Sequence, residues 1–316
     1  LDVSATDAEN VTTHGTLPSD YLSDQFLDRV RRAYRSANAN GSSPDGTMWS
    51  QIDERRADVH RALMASNNEA LREIFADPTK TDLYYGTDQL CRSMNGPLFR
   101  DSFVETALGN DRGQIARYCT NRLLDLLAAC PERSAIEIGP GMGRTAYFTF
   151  TAGVTDYTTI DLPLGVVAQA CFLGRTLGPD NLWFANEAES LAANRIKLLF
   201  AGALPRRRFS VAINVDSLPE FFLPEAFACA RWLSKHADAF LSINHEKSHF
   251  TVAETVRFAR GMRRNLRCEC PAWPGYIEEV YQPDGRRALA PALQLRAFHY
   301  LTLARTKFMR RRGGDR

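Results

Sequence analysis

Apolar residues recur at helical spacing in "YLSDQFLDRVRRAY" (21–34), through residues 49–76 and through 101–130, where "IARYCTNRLLDLLAAC" is the clearest amphipathic run. Polar, turn-forming stretches at 1–18 and in "SANANGSSPDG" (36–46) flank the first of these. The first 130 residues are therefore expected to be mainly helical. From residue 135 the texture changes to short apolar runs: "AIEIG" (135–139), "YTTIDL" (157–162), "IKLLFA" (196–201), "SVAINV" (210–215), "AFLSIN" (239–244) and "FHYLTLAR" (298–305). Helical segments such as "LGVVAQACFLGRTLG" (164–178) and "LPEAFACARWLSKHA" (223–237) stand between them. That alternation predicts an α/β fold, a parallel sheet with helices on both faces. The organisation that follows is a helical N-terminal extension or lid (1–130), a sheet domain (131–308) and a basic tail (309–316). No internal repeat is present.

Composition changes this picture little. A 316-residue chain with 44% hydrophobic and 24% charged residues is long enough to bury a sizeable core. Its net charge of +2 argues against bulk affinity for nucleic acid, which rests on a strong basic excess. Seven cysteines, scattered and odd in number, make a poor disulfide framework and favour a reducing compartment. Cys268 and Cys270 form a lone C-x-C with no second pair at zinc spacing, so they are read as strand residues rather than ligands, and no obligate structural metal is expected. No apolar stretch approaches the roughly 18 residues of a membrane helix, and no signal-peptide pattern opens the chain, so a soluble cytoplasmic protein is expected.

The chemistry concentrates in "AIEIGPGMGR" (135–144), where Gly139, Gly141 and Gly143 follow an apolar run that carries Glu137. A glycine-rich turn between the first strand and first helix of an α/β sheet is where nucleotide-like cofactors sit. Two frames fit. "GMGRTA" (141–146) meets the permissive dinucleotide pattern G-x-G-x-x-G/A, whereas the frame from Glu137 reads E-x-G-x-G-x-G and uses all three glycines and the acid. Asp161 in "TIDLP", 22 positions after Gly139, stands where an acid ending the second strand accepts from ribose hydroxyls. Both cofactor types use that device, so an oxidoreductase using NAD stays open at this point.

Polar residues at the carboxyl ends of neighbouring strands face one crevice, and "NVDSLPE" (214–220) and "SINHE" (242–246) end two of them. Asn214, Asp216, Glu220, His245 and Glu246 are expected to converge there. An alcohol nucleophile must lose its proton, and histidine is the commonest base. His245 is the first candidate, with Glu246 or Asp216 orienting it, and His249 is the alternative. Asp216 serves equally well as a helix cap. Trp273, Tyr276, Glu278 and Glu279 fall in the Pro- and Gly-broken "PAWPGYIEEVYQ", read as a substrate loop. The basic "PRRRF" (205–209) and "RGMRRNLR" (260–267) are read as solvated faces or as contacts for an anionic ligand, an acidic sugar or a lipid-linked phosphate.

The frame from Glu137 resembles motif I of class I S-adenosylmethionine-dependent methyltransferases. Together with "LYYGTDQL" (83–90), "IDLP" (160–163), "INVDSLPE" (213–220) and "INHE" (243–246), it resembles the sugar O-methyltransferases of bacterial polysaccharide biosynthesis. The resemblance implies a Rossmann-like class I methyltransferase sheet with a helical N-terminal extension, S-adenosylmethionine as donor, S-adenosylhomocysteine as product and a saccharide or glycan hydroxyl as acceptor. It implies cofactor contacts from Glu137, Gly139, Pro140, Gly141, Gly143, Arg144, Thr145, Asp161, Leu162, Ala203 and Asn214. Tyr84 and Tyr85 become candidate substrate contacts beside Glu220 and Tyr276, although an aromatic pair is also ordinary core material. The first 75 residues match no known pattern and are open as lid, dimer arm of a homo-oligomer, or support. An N/D-P-P-F/Y-type amine-acceptor motif is absent after the 210–215 run, which disfavours nucleic-acid methylation.

Overall fold

The computed structural model describes residues 22–39, 54–76, 111–202, 204–248 and 250–284. Among the described residues four helices precede the sheet: α1 (Asp24–Ala39), α2 (Glu54–Ala65), α3 (Asn68–Ala76) and α4 (Asp111–Ala128). The helical pattern over 49–76 is broken at Ser66, whose φ of 60° no helix accommodates, so two helices stand where the spacing predicts one. There follow β1 (Ser134–Ile138), α5 (Arg144–Thr151), β2 (Asp156–Asp161), α6 (Pro163–Leu177), β3 (Leu182–Phe184) and β4 (Ile196–Phe200). The chain continues through β5 (Phe209–Val215), α7 (Leu223–His236), β6 (Ala237–His245), α8 (Val252–Ala259), β7 (Met262–Glu269) and β8 (Tyr276–Pro283).

All eight strands form one sheet in the order β3-β4-β2-β1-β5-β6-β8-β7. β1 to β6 are parallel, and β8 runs antiparallel to both of its neighbours. Five of the six strands expected from the sequence are present, and the sixth, at 298–305, lies outside the described residues. β3 is too short at three residues for a sequence pattern to register. The β7–β8 hairpin corrects the reading of Glu278 and Glu279 as part of a substrate loop, since both lie inside β8. β7 exposes seven of its eight residues and so shows no alternation, while β8 buries Glu278 and Glu279 against arginines. Buried carboxylates inside a strand imitate a polar loop, because periodicity does not reveal their partners.

The central strands are buried on both faces, as near-continuous apolar runs demand. Ala135 faces a core shared with α1, α5 and α6, whereas Ile136 and Ile138 face a second core under α7 and α8. The N-terminal helices belong to the first core. Phe26 of α1 seats on Gly174 of α6, where an added Cβ would come within 2.8 Å of the ring. Arg29 pairs with Glu187 and donates to the carbonyls of Pro179 and Leu182. α1 therefore buttresses the flank at β3, the end of the sheet remote from β6 and β8. Leu123 and Leu127 of α4 enter the same core, so the helical segment before residue 131 has no separate interior among the described residues. Among those residues no helix is long and apolar enough to cross a membrane.

Candidate functional site

From β1 the chain works outward through β2 and the pair β3–β4, then returns to place β5 on the other side of β1. Strand order reverses there, and open α/β sheets bind ligands outside the carboxyl ends at such a switch point. The glycine loop sits at this place. Gly139, Gly141 and Gly143 have φ values of 65°, 60° and 85°, all left-handed. At Gly139 a side chain is impossible, since a Cβ would stand 2.1 Å from Ser217 Oγ. At Gly141 a Cβ would meet nothing within 4 Å, so this stretch of main chain faces open space. Gly143 caps α5 and donates its N–H to the Pro140 carbonyl at 3.0 Å, while Arg144 and Thr145 begin the helix.

Two carboxyl groups brace this loop from inside the protein. Glu137, 2% exposed, lies beneath it and accepts from Tyr157 Oη at 2.9 Å and from the Thr145 hydroxyl. Burial pushes its pKa up to about 7, against the pull of those hydrogen bonds. Asp161, at the end of β2, accepts from the Leu162 N–H at 2.7 Å, from Gln169 Nε2 at 2.9 Å and from the Gly141 N–H. It too is raised to about 7, again by burial. Gly165 allows this approach, because a Cβ there would stand 2.5 Å from Asp161 Cγ. Gly165, Gln169 and Tyr157 were not singled out from the sequence. Gln169 alone left a trace, as the one polar residue in the apolar first three turns of its helix.

On the other side of β1, Asn214 is fully buried and holds the crevice from below instead of lining it. Its Nδ2 donates to the Ile138 carbonyl at 2.8 Å and to Ser217 Oγ at 2.5 Å, and its Oδ1 accepts from the Leu218 N–H at 3.1 Å and from Asn244 Nδ2 at 2.9 Å. Asn244 Oδ1 in turn accepts from the Ser217 N–H at 3.2 Å. These amides tie β1, β5 and β6 together and hold the turn that contains Asp216. Asp216 has φ 53°, a conformation uncommon outside glycine and a mark of strain at functional positions. It does not cap the following turn, where Ser217 stands at the cap position.

Asp216 Oδ1 lies 3.7 Å from His245 Nε2, an electrostatic contact longer than a hydrogen bond. His245 Nδ1 accepts the Lys247 N–H at 3.2 Å. Nδ1 is thereby engaged, and Nε2 is the ring nitrogen near Asp216. Glu246 does not orient His245: its two oxygens accept from Arg267 at 2.9 Å each, drawn away by a guanidinium on β7. Tyr276 pairs in register with His245 across β6 and β8 and meets its ring edge-on at 5.7 Å. Trp273 stacks on Tyr276 at 3.6 Å between ring centres. Glu278 and Glu279 do not reach the crevice. Glu278 accepts from Tyr118 Oη at 2.5 Å and from Arg122 at 2.8 Å, and Glu279 from Arg264 and Arg267 at 2.9 Å. Glu220 ends the short turn after Asp216. Ala203, His249, Tyr84 and Tyr85 lie outside the described residues. Among the described residues no group of three or more His, Cys, Asp or Glu side chains is gathered as metal ligands would be.

No protein-family model matches the chain, and no curated protein matches its sequence. Among solved structures it is similar to the glycopeptide N-methyltransferase MtfA complexed with S-adenosylmethionine, at 12% identity over 52% of this chain and 87% of that one, with a TM-score of 0.40. It is similar to magnesium protoporphyrin IX methyltransferase from Synechocystis PCC 6803 with bound S-adenosylhomocysteine, at 13% identity over 69% of this chain and 100% of that one, TM-score 0.43. It is also similar to the CcbJ methyltransferase from Streptomyces caelestis, at 14% identity over 55% and 92% of the two chains, TM-score 0.40.

Proposed function

We propose that this chain is an S-adenosylmethionine-dependent O-methyltransferase acting on a sugar or oligosaccharide hydroxyl. The observation that carries the donor reading is the E-x-G-x-G-x-G loop at the switch point, with Gly141 facing open space. The residues present fit such a group. Main chain bare of side chains borders the crevice, and Asp161 stands at the end of β2 beside it. When bound, S-adenosylmethionine supplies a methyl on a sulfonium, and an acceptor oxygen in line with that bond takes it as the sulfur departs with the bonding electrons. The saccharide reading is supported by "INVDSLPE" and "INHE" and by the polar pair that Asp216 and His245 supply at the strand ends.

The geometry favours a division of labour different from the one first expected. His245 Nδ1 is engaged by the Lys247 amide and Nε2 lies 3.7 Å from Asp216 Oδ1, so the Asp216 carboxylate, beside the ring at the strand ends, is the group that takes the acceptor's proton. His245 steadies that carboxylate and spreads its charge. The left-handed turn at residue 216, held by Asn214 and Asn244, keeps the carboxylate toward His245.

Calorimetry with S-adenosylhomocysteine, with NADH as the parallel ligand, tests the donor reading. Micromolar binding of the first ligand alone, weakened by about tenfold or more in Asp161→Ala, is expected for a lost charge-assisted hydrogen bond. Binding of NADH in its place would overturn the methyltransferase reading.

A further inference from the structure

The β7–β8 hairpin brings its connecting turn, residues 270–275, to the carboxyl edge of the sheet. β8 starts at that edge, because it runs antiparallel to β6 and pairs Tyr276 with His245. This turn is built to be stiff. The Cys270 N–H donates to the Tyr276 carbonyl at 2.9 Å, the Trp273 N–H to the Cys270 carbonyl at 3.2 Å, and the Tyr276 N–H to the Trp273 carbonyl at 3.1 Å. Pro271 and Pro274 restrict φ further, and Gly275 supplies the positive φ of 84° that closes the turn.

On this turn Trp273 and Tyr276 lie face to face, 3.6 Å apart and 11° from parallel, and both are half-buried. Their inner surfaces pack on the small core of Ile243, Cys270 and Val280. A large indole stiffened in this way, partly in solvent and one residue pairing from the Asp216–His245 contact, exceeds what that small core requires. Tyr118 of α4 packs against the same core and is fixed there by its hydrogen bond to Glu278.

Resting on the function proposed above, we infer that the Trp273–Tyr276 stack is the acceptor-selecting wall and that the ring it takes is a pyranose. The face of an aromatic ring is electronegative and attracts the weakly positive C–H bonds of a sugar's apolar face. A pyranose combines such a face with a rim of hydroxyls, and the residues beside the stack offer that rim its partners: His245, edge-on to Tyr276, and Asp216 next to it. A phenolic acceptor has the flat face but only one hydroxyl to place. The wall stands on the β6–β8 side and the glycine loop on the β1–β2 side, so ring recognition and donor binding are carried by different strands.

The test uses the full chain loaded with S-adenosylhomocysteine, with ring protons observed by saturation-transfer NMR against a panel of methyl pyranosides and a panel of simple phenols. Transfer to pyranoside ring protons is expected, with affinity weakened about fivefold in Trp273→Ala, the value of one aromatic contact. Trp273→Phe should recover most of that loss and also guards against misfolding of the alanine variant. Affinity for S-adenosylhomocysteine should stay within about twofold of the parent in both. Three results would overturn the inference: phenols bound in preference to pyranosides, pyranosides bound equally well by Trp273→Ala, or no pyranoside bound by a chain that takes up S-adenosylhomocysteine. Failure to bind S-adenosylhomocysteine would instead strike the donor reading, while pyranoside transfer from Trp273 would still stand or fall separately.

Discussion

The two halves of the carboxyl edge are built on different plans. At β1 and β2 the crevice is made of main chain: three left-handed glycines and the N–H groups around them, braced by the buried carboxyl groups of Glu137 and Asp161. At β5, β6 and β8 it is made of side chains drawn from distant parts of the sequence, with Asp216, His245 and Tyr276 meeting only through strand register. The first half is suited to holding a constant ligand, since backbone geometry tolerates little variation. The second is suited to a variable one, because exchanging a side chain leaves the sheet intact.

If that division is right, substitutions on the two halves should separate chemistry from donor binding. The largest effect is expected from Asp216→Asn, which should lower turnover by roughly 10²- to 10⁴-fold, the usual worth of a general base, with S-adenosylhomocysteine affinity unchanged. Steady-state rates beside calorimetry would check this. A smaller loss for Asp216→Asn than for His245→Gln would return the base to the imidazole.

Next comes Gly139→Ala. Its Cβ would collide with Ser217 Oγ and its φ of 65° disfavours alanine, so a loss of about 3 kcal/mol in urea unfolding is expected. Adding Ser217→Gly should recover the steric part and leave the backbone part. By contrast Gly141→Ala meets no atoms, and its cost of about 1 kcal/mol should come from φ alone. Its larger effect should appear in donor affinity.

The buried carboxyl groups give the donor half a pH signature. Glu137 and Asp161 are raised from ordinary carboxyl values to about 7, so the folded protein holds protons there that the unfolded chain releases. Their contribution to stability is full below about pH 4 and is lost as pH rises to 7. The ligand-free protein should therefore lose melting temperature between pH 5 and pH 8. Glu137→Gln should remove roughly 2 kcal/mol of that dependence. A dependence as steep in the variant as in the parent would show that Glu137 is ionised throughout. The smallest effect is expected on the rim: Glu246→Gln breaks an exposed pair with Arg267 and should change stability by less than about 1 kcal/mol. A loss of turnover in that variant would blur the boundary drawn between rim and crevice.

How much of this was legible in the sequence follows the same division. Glu137, the three glycines and Asp161 are close in sequence, and each stands where a local rule places it: at a strand end, in a turn, or at the start of a helix. Asp216 and His245 were found for the same reason, as polar residues ending apolar runs. Their contacts were not legible, because His245 Nδ1 is engaged by the Lys247 amide, and the partner of Glu246 comes from β7. The β7–β8 hairpin was misread because Glu278 and Glu279 look solvated until Tyr118, Arg122, Arg264 and Arg267 are brought to them.

By itself the sequence determined that a parallel α/β sheet begins near residue 135, where its glycine loop lies, and which strand ends carry acids. Those properties depend on hydrophobic period and on backbone stereochemistry, which act over a few residues. Only the tertiary structure decided that the N-terminal helices buttress β3 and that Asn214 supports the crevice without lining it. It alone set Trp273 and Tyr276 beside His245. Such facts depend on strand order and register, which bring together residues tens of positions apart, and no local rule encodes which charge a buried carboxylate will meet.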